Sequence, residues 1–346
     1  MNKMIHVVAA AAVTSSLWLA GPAEAQQNQR QNAGQAAAVA ALPPALRAAI
    51  QSGNAQAVSQ AINTLSGGDP QRAASLADMT VATAEQMLAT NPQAAIQAAT
   101  AAVGAINAGA VQRSAPTQSE SVITRAARIF VSPATQAIDP ERSAALAAAT
   151  MQAAGNLGNP SLVAAVAVQS ITVAERILTI NPAAAVQLAG AAVQSVSAAT
   201  VQNQDPAASM QVATAAARIV VQPDAQRVNP ATVAAMAVGA TQIVANPAVY
   251  ASAPNAAINV MANSYTAATS QAVSAAAPTA ATTLRTTLNQ AAQASGLNAV
   301  NPSNPTLINT ILAGSNPDTG RELNRNNQAQ NPVAPIEEPI LNGSPS

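Results

Sequence analysis

Shifted by 90 positions, the chain lies over itself without a gap: residues 70–159 align with 160–249, and roughly 35 positions are identical. A chain that repeats itself builds its core by stacking like units, so whatever one copy folds into, the next must fold into as well. The prolines keep this register best, pairing Pro70 with Pro160, Asn91-Pro92 with Asn181-Pro182, Pro116 with Pro206, Pro133 with Pro223 and Pro140 with Pro230. The segment Ala126-Ala-Arg-Ile-Phe-Val-Ser-Pro133 returns as Ala216-Ala-Arg-Ile-Val-Val-Gln-Pro223. Alanine fills 92 of the 346 positions, and alanine-rich chains match one another cheaply. The weight therefore rests on the prolines and on two charged pairs of equivalents, Glu85/Glu175 and Arg128/Arg218.

The repetition reaches beyond the two full copies. Residues 42–69 read as a partial copy, with Pro43 standing where Pro133 stands. After residue 249 the frame slips by 18, and a shift of 72 then sets Pro254 on Pro182 and Pro278 on Pro206. Residues 250–295 thus read as a shortened, divergent copy, and divergent ends are what capping units look like. Residues 26–41 read as a flexible lead-in rich in Gln and Asn. Residues 296–346, with Asn-Pro, Gly-Ser and Pro-Ile-Glu-Glu-Pro, have little apolar periodicity and are expected to be disordered.

Asp or Asn precedes Pro at 69–70, 91–92, 139–140, 159–160, 181–182, 205–206 and 229–230. The Asx oxygen accepts a free backbone N–H at a helix start, and Pro suits the first helical position because its missing N–H costs nothing there. The residue before Pro is also held out of the helical region, so each dipeptide ends one helix and starts the next. Between them, Leu162, Val166, Val173, Ile177 and Ile180 make a helical stripe. Four helices per copy are predicted, near 70–90, 92–113, 117–131 and 140–156, with 132–139 as the one longer connection. The expected fold is all-α: a tandem helical repeat array, either an α-solenoid or an elongated helical bundle, with a disordered C-terminal tail.

Lys3, an apolar stretch from Val7 to Ala20, the breaking pair Gly21-Pro22 and the small-x-small run Ala23-Glu24-Ala25 have the form of a secretory signal over residues 1–25. Export by the general secretory route is expected, to the periplasm, cell surface or beyond. Lys3 and His6 are the only Lys and His, and there is no Cys. A chain cut after Ala25 thus has no triad histidine, no thiol nucleophile, no Schiff-base or P-loop lysine and no conventional zinc or haem site. A carboxylate pair is the remaining enzymatic route, but the adjacent Glu337 and Glu338 sit in the Pro- and Asn-rich tail. No cofactor or metal is expected. Equal numbers of acidic and basic groups, 14 of each, leave no footprint for nucleic acid. Gln, Arg or Glu interrupts each window long enough to span a membrane.

The expected function is a secreted, non-enzymatic structural or interaction protein that assembles with itself or with a protein partner. The alternative is a periplasmic binding module that holds an apolar or peptide ligand in a helical groove. Glu85, Glu175, Arg128 and Arg218 are expected to fix the register between helices, and an Arg clamp for an anion is the competing role. Gln112 and Gln202, like Gln136 and Gln226, are expected to cap or cross-link helices, and the methionines to fill gaps. Tyr250 and Tyr265 fall where the repeat degenerates; they are the candidate partner contacts, and the competing and commoner role is to seal the end of a core. Without His or Lys, no side chain of ordinary pKa changes charge near neutrality. Thermal melts should therefore give the same midpoint from about pH 6 to pH 9; a sharp step in that window would reveal a buried carboxylate.

Overall fold

A computed structural model of the chain describes residues 42–314. Residues 1–41, with the expected leader and lead-in, and the tail from residue 315 lie outside the described residues. Among the described residues there are twenty helices and no strand. In chain order they are α1 (Pro44–Gln51), α2 (Ala55–Ser66), α3 (Pro70–Met87), α4 (Pro92–Ile106), α5 (Gly109–Ser114), α6 (Pro116–Val131), α7 (Pro133–Ile138), α8 (Pro140–Leu157), α9 (Pro160–Ile177) and α10 (Pro182–Ser195). Next come α11 (Ala199–Gln204), α12 (Pro206–Val220), α13 (Pro223–Val228), α14 (Pro230–Val244), α15 (Pro247–Ser252), α16 (Pro254–Thr269), α17 (Gln271–Ala276), α18 (Ala280–Gln293), α19 (Ser295–Val300) and α20 (Asn304–Leu312). All belong to one compact unit that begins at Pro43.

The all-helical expectation holds, but residues 70–159 contain six helices rather than four. The predicted helix 92–113 breaks into α4 and α5, and the predicted connection 132–139 contains α7. Residues 296–314, expected to be disordered, contribute most of α19 and all of α20. These differences have one source. Pro92, Pro116 and Pro140, and again Pro182, Pro206, Pro230, Pro254, Pro278 and Pro302, succeed one another at intervals of 24. Each of these seven intervals holds a long helix followed by a six-residue one. The 90-residue period consists of two of these steps followed by steps of 20 and 22 at Pro160 and Pro182, where the short helix is missing.

Each part of the unit has a local cause. Asn91, Asp139, Asn159, Asn181, Asp205 and Asn229 accept the backbone N–H three residues on, and Pro occupies the next position. Six residues past each proline a side chain is buried; Leu146, Leu188, Met236 and Leu284 are at most 2% exposed. The short helices plug the ends of the long ones with a buried side chain: Val111, Thr135, Val201, Ala225, Val249, Val273 or Leu297. Except in α15, where Tyr250 takes that part, the carbonyl of that same residue accepts the N–H of the residue that precedes the next long helix, as from Ala115, Asp139, Asp205 and Asn229. A short helix therefore turns the chain while leaving few backbone groups unpaired.

Every long helix packs on the one after it and on the one after that. The long helices thereby sort into two rows: α2, α4, α8, α10, α14 and α18 in the first, and α3, α6, α9, α12, α16 and α20 in the second. Chain direction alternates between the rows, so the short helices gather on two opposite edges. Along one edge α11 touches α15 and α15 touches α19; along the other α13 touches α17. The contacts are made by small side chains, with Ala98, Ala99, Ala167, Ala189, Ala213 and Ala237 at 0% exposure. A Cβ on Gly239 of α14 would stand 2.7 Å from Val193 Cγ1 of α10. On Gly104 of α4 it would meet nothing within 4 Å. Gly239→Ala should therefore cost about 1–3 kcal/mol through overpacking, and Gly104→Ala should gain about 0.5–1 kcal/mol in helix propensity. Denaturant titration of the two variants reads the opposite signs directly.

Candidate functional site

The charged equivalents lie on the second row and are spent on one another. Glu85 of α3 receives Arg125 Nη1 and Arg128 Nη1 of α6, each at 3.1 Å. Arg125 Nε also stands 3.6 Å from Asp78, whose Oδ1 accepts the Ser121 hydroxyl at 2.6 Å. One helix pair further on, Arg218 of α12 grips Glu175 of α9 with two parallel bonds, Nε to Oε1 at 2.7 Å and Nη2 to Oε2 at 3.1 Å. Arg176 Nη1 donates to the Val131 carbonyl across the α6–α9 contact, at 3.4 Å. Glu85–Arg128 and Glu175–Arg218 are thus inter-helix ties, and the guanidinium forks that an anion clamp would need already hold carboxylates. All are partly exposed, so each is worth at most about 1 kcal/mol; their effect is to fix the register of helices whose alanine faces would otherwise slide. Sequence repetition did not point to Arg125 and Asp78, because Ala215 and Val168 stand at the equivalent places.

Gln202 Nε2 donates to the carbonyls of Val196 and Ser197 at 3.2 and 2.9 Å. Gln136 does the same to Phe130 and Val131 at 3.1 and 2.9 Å, and Gln226 bonds Val220 at 2.8 Å. Each closes the C-terminal end of the preceding long helix, where carbonyls have no intrahelical donor. Gln112 departs from the pattern, reaching across to the Ala153 carbonyl of α8 at 2.9 Å. Asn298 takes the glutamine's place in the last unit and bonds Ala292 at 3.0 Å.

Both tyrosines are buried, an arrangement that fits the sealing of a core end rather than a surface contact. Tyr250 is fully buried in α15, and its hydroxyl donates to Asn304 Oδ1 at 3.1 Å. Asn304 is buried too and donates from Nδ2 to the Ala291 carbonyl at 3.0 Å and to Asn298 at 2.9 Å. This network ties α15, α18, α19 and α20 together. Tyr265 accepts from Arg285 Nη2 at 3.0 Å, joining α16 to α18.

A depression lies on the first row, over α10, α14 and α18. It encloses about 650 Å³ and carries no charged side chain. Gly190 and Gly239 form its floor, and Gln194, Thr232, Gln242 and Thr283 supply its polar groups. A Cβ on Gly190 would stand 3.0 Å from Thr232 Cγ2, so this glycine, like Gly239, sits where two helices approach closely. Thr100 and Ala149 occupy the equivalent places in the first copy, which is why repetition gave no hint of the groove. With only hydroxyl and amide groups available, such a surface can recognise apolar or peptide-like matter. Glu337 and Glu338 lie outside the described residues. Among the described residues no helix is long and apolar enough to cross a membrane. Comparison with protein-family models, with curated proteins and with solved structures finds no match for this chain.

Burial raises the Tyr250 phenol above its ordinary value of 10.0, opposed by a hydrogen bond with Asn301. A raised folded value means the stability contribution is complete below 10.0 and is lost as pH climbs through the folded value. Thermal midpoints should fall on the alkaline side of about pH 10. Tyr250→Phe should remove that fall while costing about 1–3 kcal/mol at neutral pH, because Asn304 Oδ1 loses its donor.

Proposed function

We propose that this chain is an exported, non-enzymatic scaffold: a tandem helical-repeat array, stacked as an open α-solenoid, that works by presenting its sides to another protein or to further copies of itself. The observation that carries this reading is the contact order of the long helices. Each meets its first and second neighbours along the chain, a one-dimensional arrangement whose product is extended surface. The polar chemistry supports it, since the charged groups of the second row are tied to one another and the groove of the first row has only amides and hydroxyls.

The ends of the array are poor sites for growth. The outer side of α2 exposes Gln56, Gln60, Asn63 and Thr64, and that of α18 exposes Thr282, Arg285, Thr286 and Asn289. Polar terminal faces are what soluble repeat proteins place on their caps. Association is therefore lateral, along the rows or edges, rather than end to end.

The groove favours a second reading, a binding module for an apolar or peptide ligand outside the cytoplasm. The two readings separate in one experiment. The chain is expressed with its own leader, its N-terminus is sequenced, and intact cells are treated with a cross-linker. The scaffold reading expects an exported chain beginning at Gln26 and adducts with protein. An exported monomer without protein adducts that carries a small molecule detectable by mass spectrometry favours the module. A chain retained whole in the cytoplasm overturns both.

A further inference from the structure

The two edges of the array differ in chemistry. On one, the short helices α5, α11 and α15 end in Ser114, Gln204 and Ser252, and only the last, α19, ends in an exposed apolar residue, Val300. On the other, α7 and α13 end at the same place in the unit with Ile138 and Val228, which are 55% and 44% exposed. Between them on that edge, just past the end of α9, Ile180 is 67% exposed. Three of the four exposed large apolar side chains among the described residues thus stand two residues before the prolines that open consecutive helices of the first row, α8, α10 and α14. At the usual spacing of packed helices they form a strip about 20 Å long with Ile180 at its middle.

The charged groups at the two ends of the strip complement each other. At the Ile138 end stand Glu141, with no ion-pair partner among the described residues, and Arg142, which pairs with Asp139 at 3.3 Å. At the Val228 end Arg227 pairs with Asp224 at 3.0 Å, both more than half exposed. The two sequence copies have diverged here in opposite senses: Ala137 and Glu141 in the first correspond to Arg227 and Ala231 in the second. Arg128, Arg218 and Arg176 nearby are tied across helices, to carboxylates and a carbonyl, whereas Arg227 pairs only within its own short helix, in an exposed bond weak enough to exchange partners.

We infer that this edge is the contact between two copies of the chain, related by a two-fold axis through Ile180, so that Ile138 meets the second copy's Val228 and Glu141 meets the second copy's Arg227. A strip with equal apolar ends, a central residue that can meet itself and unlike charges at opposite ends is self-complementary under such an axis. The inference rests on the scaffold reading and names its partner.

The chain has no cysteine, so introduced thiols report without interference. Under mild oxidation Ile180→Cys should give a disulfide-linked dimer, and so should the double variant Ile138→Cys/Val228→Cys. Gln204→Cys, on the opposite edge, should stay monomeric. In sedimentation over a concentration series, Glu141→Arg and Arg227→Glu should each weaken the dimer about tenfold, and the two together should restore it. Equal cross-linking at positions 180 and 204, a charge swap that restores nothing, or a wild-type chain that sediments as a monomer throughout would each overturn the dimer. Protein adducts in intact cells alongside any of these results would leave the scaffold reading standing with a different partner.

Discussion

The structure depends on alanine faces approaching one another closely. Four aromatic residues in the whole chain leave almost nothing of the kind that normally fills a core in large pieces. Burying a methyl group removes little area, so each helix has to be covered on several sides, and two rows with first- and second-neighbour contacts achieve that. The scarcity of bulk also makes the interior exacting. Between α10 and α14 even alanine is too large at Gly239. The branched and long side chains, such as Ile129, Leu146 and Ile177, occupy the places the methyl groups leave open.

Such faces are smooth, and smoothness brings a second requirement. Ridges of alanine slide past one another more easily than ridges of leucine, so register has to be set by other groups. The ion pairs of the second row do this for α3 with α6 and for α9 with α12, and hydrogen bonds between Asn107 and Asn156 and between Asn203 and Asn246 do it near the opposite ends. The last units have no ion pair of this kind. There the buried Tyr250–Asn304 bond holds the final helices in place.

The starts of the long helices were legible in the sequence, because an Asx cap followed by proline is a strong local instruction. The proline that opens each of α3, α4, α8, α9, α10, α12 and α14 follows from it. The six-residue helices were not legible. Neither α5 nor α7 has a side-chain cap at its start, and their glutamine anchors act on the preceding helix. The 24-residue interval was hidden because two shorter steps interrupt it within each 90-residue copy. The tail's first helices escaped notice for a related reason: neither α19 nor α20 has a side-chain cap at its start, and α20 begins two residues after Pro302. Among the polar residues, repetition found the pairs present in both copies. It missed Arg125, Asp78 and the glycine floor of the groove, which occur in one copy only, and the exposure of Ile138 and Val228 emerged only once the edges were defined.

The alternation of rows limits how a chain of this design can lengthen. Inserting a single long helix would hand every later helix to the opposite row, turn the apolar edge into the polar one halfway along and bring the Glu175–Arg218 tie to the wrong side. Gain or loss in even numbers keeps each segment on its own side. The 90-residue block carries four long helices, which is why it can be duplicated without inverting the helices beyond it.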